Sequence, residues 1–229
     1  MKAPTQYIPN FVQDPDRTLE ALQNGLEWER RSDAPRCEYY CNDFPNPYVY
    51  GRGRGVREYL PRPMIPAILA IRLELEKLAP TLYPNIVPKF EVCFLNRYLN
   101  QSDHLGWHAD DSPEMDDARP IVTVSLGVER EICFRPKKQF DATVYEDQSE
   151  TRLKLGNGSA CFMAPGMQDR FEHRIPKASF QCGERISLTF RGYVNQKRGG
   201  NNVTDACLHT GPCLVGCGCW CDTCKAEKK

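Results

Sequence analysis

The stretch "DHLGWHADDSPEMDD", residues 103–117, places two histidines and five aspartates in fifteen positions. Side chains two apart in an extended strand share a face, so His108 and Asp110 of "GWHAD" would sit side by side if that segment is a strand. One neutral imidazole and one carboxylate are two of the three ligands of a facial ferrous-iron site; a second histidine must complete it. The chain has four histidines. His104 lies in the approach to the strand and His209 in a cysteine cluster, which leaves His173 of "FEHRIPK" as the third ligand. The competing reading is a solvated acidic loop with no metal.

A second constellation lies downstream in "RISLTFR", residues 185–191. In a strand, Arg185, Ser187, Thr189 and Arg191 share one face, and Ile186, Leu188 and Phe190 the other. Two arginines on a buried face need anions to meet them. A dicarboxylate would serve, since the guanidinium fork suits carboxylates; acids of a neighbouring strand would serve equally. A third cluster, "CLHTGPCLVGCGCWCDTC", holds six of the twelve cysteines. Its C-x-x-C pair has zinc-ligand spacing. A zinc site built from Cys213, Cys217, Cys221 and Cys224 is expected, with Cys207, His209 and Cys219 leaving other sets of four open.

These residues need elements to hold them. "DPDRTLEALQNGLEWER" carries a helix start, with Asp14 as N-cap and Pro15 in the first turn, and Leu19, Leu22 and Leu26 at helical spacing. "IPAILAIRLELEKLA" reads as a second helix through Ile65, Ile68, Leu69, Arg72 and Leu75. Between them "APRCEYYCNDFPNPYVYGRGRGVREYLPRP" shows no period and reads as loops or short ribbons. From residue 88 onward, short runs rich in β-branched and aromatic residues alternate with turns: "FEVCFLNRYL", "RPIVTVSLG", "REICFRPK", "RLKLGNGSACFMAP" and "RISLTFRGYV". Strands this short and frequent suggest a sandwich or barrel. The fold class expected is mainly β with flanking helices. Its divisions are helices and lid at 1–85, a core at 86–198 and a cysteine-rich extension at 199–229.

The 30 basic and 30 acidic side chains cancel, so no global field draws the chain to nucleic acid or membrane. No apolar run approaches the roughly 20 residues of a membrane span. The N-terminus lacks the apolar core of a signal peptide, and the expected location is intracellular, in the cytoplasm, with nuclear residence open if the host is eukaryotic. Cysteines scattered in apolar runs, such as Cys93, Cys133 and Cys161, read as reduced core residues.

Taken together, Asn96-x-Tyr98, His108-x-Asp110 ten residues after the tyrosine, His173, Arg185 twelve residues on and Arg191 six later resemble the AlkB family of iron(II)- and 2-oxoglutarate-dependent dioxygenases. The wording "WHADDSP" followed by "PIVTVSLGVEREICFR" is most similar to the eukaryotic DNA- and RNA-repair homologues. The resemblance covers roughly residues 30–195 and implies a double-stranded β-helix, or jelly roll. It implies iron on His108, Asp110 and His173. Tyr98 and Arg185 would grip the distal carboxylate of 2-oxoglutarate, and Asn96 and Arg191 its iron-chelating end. Asp111 corresponds to a residue that contacts the target base. "PRCEYYCNDFPNPYVYGRG" corresponds to the nucleotide-recognition lid, its "PYVY" resembling the family's "PYTY".

Two departures are Ser187, where the family often has asparagine, and Ser112, where relatives often carry an acid. The implied reaction uses dioxygen to remove methyl groups from 1-methyladenine or 3-methylcytosine in DNA or RNA, giving formaldehyde and succinate. The partner would be single-stranded nucleic acid or a flipped base, with Tyr39, Tyr40, Tyr48 and Tyr50 stacking. Arg52, Arg54, Arg57 and Arg62 of "RGRGVREYLPR" would contact phosphates. Asp103, Asp111, Glu114, Asp116 and Asp117 would favour the cationic base, with a solvated loop the competing reading for the last three. Alternative readings are an oxygenase of proteins or small molecules and a non-catalytic nucleic-acid binder.

Overall fold

In the computed structural model, residues 3–31, 34–44, 47–50, 56–137 and 150–194 are described. Two sheets face each other. The strands are β1 (Thr5–Ile8), β2 (Cys37–Asn42), β3 (Tyr48–Tyr50), β4 (Arg57–Tyr59), β5 (Val92–Tyr98), β6 (Leu105–His108), β7 (Ile121–Gly127), β8 (Arg130–Pro136), β9 (Thr151–Leu155), β10 (Ser159–Met163), β11 (Phe171–Ile175) and β12 (Arg185–Arg191). The larger sheet runs β1-β10-β7-β12-β5-β2 and the smaller β6-β11-β8-β9, with β3-β4 as a separate ribbon. From β5 to β12 the chain crosses repeatedly between the two sheets, which is the winding of a jelly roll.

Two helices cover the outer face of the larger sheet. Helix α1 (Pro15–Gly25) starts where Asp14 accepts from the Arg17 amide at 3.2 Å. This satisfies one of the donors a helix start leaves open. Helix α2 spans Pro66–Leu82 and buries Ile68, Ile71, Leu75 and Ala79. Leu69 and Leu73 point to solvent instead, so the buried stripe is turned from the one expected through Leu69. With Leu22, these side chains pack on Cys93, Leu95, Ile186, Leu188 and Phe190. Burial of each Leu or Ile is worth about 1.5–3 kcal/mol, and it fixes which face of β5 and β12 looks the other way, into the molecule. No helix among the described residues is long and apolar enough to cross a membrane.

The segment expected to be loops or short ribbons forms the short ribbon β3-β4 and also holds a full strand, β2, which forms the edge of the larger sheet with all six residues buried. It shows no alternation because both its faces are covered, one by the helix-side core and one by the ribbon. "RLKLGNGSACFMAP" is two strands rather than one, split by a turn in which Gly158 adopts φ +75°.

Candidate active site

His108 ends β6, and His173 lies directly opposite it on β11. Asp110 lies beyond the end of β6, so strand alternation does not aim it. Its backbone N–H donates to Oε1 of buried Gln168 at 3.0 Å, and Gln168 sits on the short helix α3 (Met167–Arg170). Sequence reasoning missed Gln168; no local signal marks it, because the contact spans 58 residues. The result is nonetheless the expected grouping: ligand atoms of His108, Asp110 and His173 lie within 4.8 Å of one another. Each imidazole Nε2 is 3.7 Å from an Asp110 oxygen.

The protonation states suit a metal. His108 Nδ1 lies 2.9 Å from the Gly106 carbonyl. A carbonyl can only accept, so Nδ1 carries the proton and Nε2 keeps its lone pair toward Asp110. Burial pushes His173 down to about 3, helped by the neighbouring His108. Burial also lowers His108, with Arg191 and Arg36 adding to the effect. Both rings are therefore neutral at neutral pH. Burial would raise the Asp110 carboxyl, but the charge of Arg191 overcomes it and holds it below the usual range. Arg191 Nη2 donates to Asp110 at 2.6 Å.

The larger sheet faces this cluster across a cavity of about 40 Å³, lined by Asn96, Tyr98, Arg185 and Arg191. The two arginines six residues apart thus line one pocket. Arg185 is fully buried. Its Nε donates to Ser125 Oγ at 2.8 Å, but among the described residues Nη1, Nη2 and the Tyr98 hydroxyl have no hydrogen-bond partner. Among the described residues no acid bonds this guanidinium. Burial pushes Arg185 down to about 10. A buried cation with two idle donors beside an idle hydroxyl is a receptor for a carboxylate. Arg36, quoted in the lid but given no role there, also lines the cavity.

The lid tyrosines divide. Tyr39 faces the helix-side core and donates to the Pro63 carbonyl at 3.0 Å; it is not brought to the cavity. Tyr48 lines the cavity, accepts from Arg191 Nη1 at 3.1 Å and lies 3.0 Å from Ser112 Oγ. Tyr40, Tyr48, Tyr59 and Phe94 form one aromatic cluster, with Tyr40 and Tyr48 stacked at 5.4 Å. Ser112, where an acid was the family expectation, thus bonds a lid tyrosine. Asp111 is exposed, lies outside the cavity lining and pairs with Lys137 at 2.9 Å. Asp103 does not face a base: Arg30 grips it through two bonds of 3.0 and 2.8 Å. Asp116 pairs with Arg119, and burial with Asp169 and Asp116 nearby pushes Asp117 up to about 6. Ser187 is buried opposite Asn96. Arg52, Arg54, Cys213, Cys217, Cys221 and Cys224 lie outside the described residues, as does the Tyr50 side chain.

A jelly roll carrying two histidines on one sheet and a carboxylate just beyond its edge, facing a buried arginine on the other sheet, has the ligand set of the mononuclear iron oxygenases. Comparison with known proteins agrees. The 2OG-Fe(II) oxygenase superfamily matches residues 7–191. Mouse DNA oxidative demethylase ALKBH2 is 32% identical over 109 residues, 48% of this chain and 46% of that protein. Bovine alpha-ketoglutarate-dependent dioxygenase alkB homolog 3 is 27% identical over 206 residues, 83% of this chain and 66% of that protein. The chain therefore spans about half to two-thirds of the length of these curated relatives. The solved structure of OsALKBH1 shares the fold, with a TM-score of 0.55 at 16% identity over 83% of this chain and 99% of that one. The chain belongs to the 2OG-Fe(II) oxygenase superfamily and, within it, to the AlkB family.

Proposed function

We propose that this protein is an Fe(II)- and 2-oxoglutarate-dependent dioxygenase that removes N-linked methyl groups from nucleobases, 1-methyladenine and 3-methylcytosine foremost, in DNA or RNA. The observation that carries the iron and cosubstrate is the pairing of the His108–Asp110–His173 cluster with the unsatisfied donors of Arg185 and Tyr98 across one cavity. The two histidines and the aspartate would hold the iron. Arg185 and Tyr98 would receive the distal carboxylate of 2-oxoglutarate, and Arg191 and Asn96 the end near the metal. Bound there, ferrous iron with 2-oxoglutarate and dioxygen supplies an oxidant able to hydroxylate an N-methyl carbon, after which the carbon leaves as formaldehyde.

The protein's own residues do the rest. Neutral imidazoles present lone pairs without first losing a proton. Arg191 neutralises Asp110 and, through Tyr48, ties the site to the ribbon that covers it. The nucleic-acid substrate is supported by relatives named as DNA oxidative demethylases and by two aromatic side chains in the cavity lining, Tyr48 and Phe94, able to pack against a flipped base. Asp111, beside the metal carboxylate, is assigned to the base. Purified protein with ferrous iron, 2-oxoglutarate and ascorbate should demethylate oligonucleotides carrying either base, read by mass spectrometry, and His108→Ala should abolish it. Succinate without methyl loss would redirect the substrate to a protein or small molecule. Absence of both products would overturn the reading.

A further inference from the structure

Glu38 is buried on β2 beneath the ribbon, and three groups converge on its carboxylate. Arg36 Nη2 lies 2.6 Å from Oε1 and Arg57 Nη1 3.5 Å from the same oxygen. The Tyr59 hydroxyl donates to Oε2 at 2.7 Å. Arg36 in turn donates from Nε to Asn96 Oδ1 at 2.6 Å. Glu38 stands directly opposite Asn96 across β2 and β5, and Asn96 opposite Ser187 across β5 and β12, so these residues form one row on the cavity face. The guanidinium of Arg36 has donors only. The oxygen of the Asn96 amide must therefore face Arg36, and its NH2 must face away from it, on a side chain that lines the cavity.

We propose that Glu38 is a positioning residue: by clamping Arg36 it fixes the Asn96 amide with its NH2 turned toward the cosubstrate carboxylate. The idea rests on the function proposed above. An amide can rotate by half a turn at little cost, and in the rotated state Asn96 would present oxygen to an anionic oxygen. The clamp removes that state. It works only if Arg36 stays where it is, and removing the anion of a buried ion pair leaves the guanidinium with an uncompensated charge that favours its displacement. Glu38 is that anion. Because Tyr59 and Arg57 belong to β4, the same carboxylate also fastens the ribbon to the cosubstrate wall.

The test uses the full chain loaded with manganese(II) in place of iron, so that no turnover occurs. Calorimetry gives the Kd for 2-oxoglutarate, and electron paramagnetic resonance the Kd for manganese. Glu38→Gln should weaken 2-oxoglutarate about tenfold, the loss of one charge-assisted hydrogen bond, and leave manganese affinity unchanged. Arg36→Lys, which keeps the charge but not the fork that reaches both partners, should do the same and carries the test if Glu38→Gln does not fold. In an Asn96→Ala background, Glu38→Gln should add nothing, because the residue it positions is gone.

Unchanged 2-oxoglutarate affinity in both variants overturns the proposal. So do additive effects of Glu38→Gln and Asn96→Ala, or a parallel loss of manganese and cosubstrate binding, which marks a purely structural role. Wild-type protein that binds manganese but no 2-oxoglutarate would instead sink the proposed function, and this inference with it.

Discussion

Replacing Arg185 with methionine should make the metal- and cosubstrate-free protein more stable while destroying cosubstrate binding. The side chain is fully buried and makes one hydrogen bond, to Ser125. Its two terminal nitrogens are idle. Holding a guanidinium at about 10 rather than at 12.5 costs about 3 kcal/mol, since each pH unit is worth about 1.4 kcal/mol. At pH 7 the group is protonated in both the folded and the unfolded chain, so that cost is fully present there. Methionine keeps most of the stem's packing and removes the charge, as when buried ions are exchanged for apolar residues of similar size.

We expect Arg185→Met to gain about 1–3 kcal/mol in urea unfolding without ligand, the lower bound allowing for the lost Ser125 bond. Saturating 2-oxoglutarate should then stabilise the wild type by mass action and leave the variant unmoved. A variant less stable than the wild type in the absence of cosubstrate would falsify the argument: the guanidinium would then be a structural member of the core, and its idle donors no sign of a missing anion.

Other consequences are testable with simpler means. Folded His173 sits at about 3 against 6.5 unfolded, so between those values the unfolded chain binds the extra proton and stability falls as pH falls. From pH 7 to pH 5 the metal-free protein should lose about 2 kcal/mol through this group alone, with His108 adding to it in the same direction, and His173→Leu should flatten the slope in urea titrations. Gln168→Met strands the buried Asp110 amide. It should cost about 1–3 kcal/mol and weaken manganese binding, whereas Gln168→Glu, which keeps the acceptor, should restore the amide's partner; equal metal affinity in both variants would count against a role in aiming Asp110. Gly127 has φ +87°, and a Cβ there would stand 2.4 Å from the Glu184 carbonyl. Gly127→Ala should therefore lower the melting temperature by several degrees, and an unaltered melt would refute this account of the turn between the sheets.

Much of the site was legible because the periodicity of a strand is strict. Arg185, Ser187, Thr189 and Arg191 had to share a face, and Ile186, Leu188 and Phe190 had to be the ones packed under the helices. Asp14 announced α1 for an equally local reason. What could not be read depends on contacts distant in sequence. Asp110 is aimed by Gln168, and Asn96 by Arg36, through bonds that span 58 and 60 residues. Strand β2 hid because covering both faces erases the alternation that betrays a half-buried strand. Tyr39 and Tyr40 are neighbours of one type, yet the sheet sends one to the helix-side core and the other to the aromatic cluster. Composition cannot tell them apart. Asp103 looked like its acidic neighbours until Arg30 was found wrapped around it.

The two histidines stand on the smaller sheet and the four arms assigned to the cosubstrate on the larger one. The separation of the sheets, roughly 10 Å in such sandwiches, is therefore a working dimension of the catalyst. Ile132, Phe134 and Ile175 on one side and Ile121, Cys161 and Met163 on the other act as its gauge blocks. Phe134, Ile121, Cys161 and Met163 lie outside the lining of the cavity, yet the sum of their volumes decides how far an iron atom would stand from the arginines opposite. Drift in the bulk of this filling would detune the two halves against each other while leaving every reactive group intact, and paired substitutions that conserve its thickness would bring them back into register.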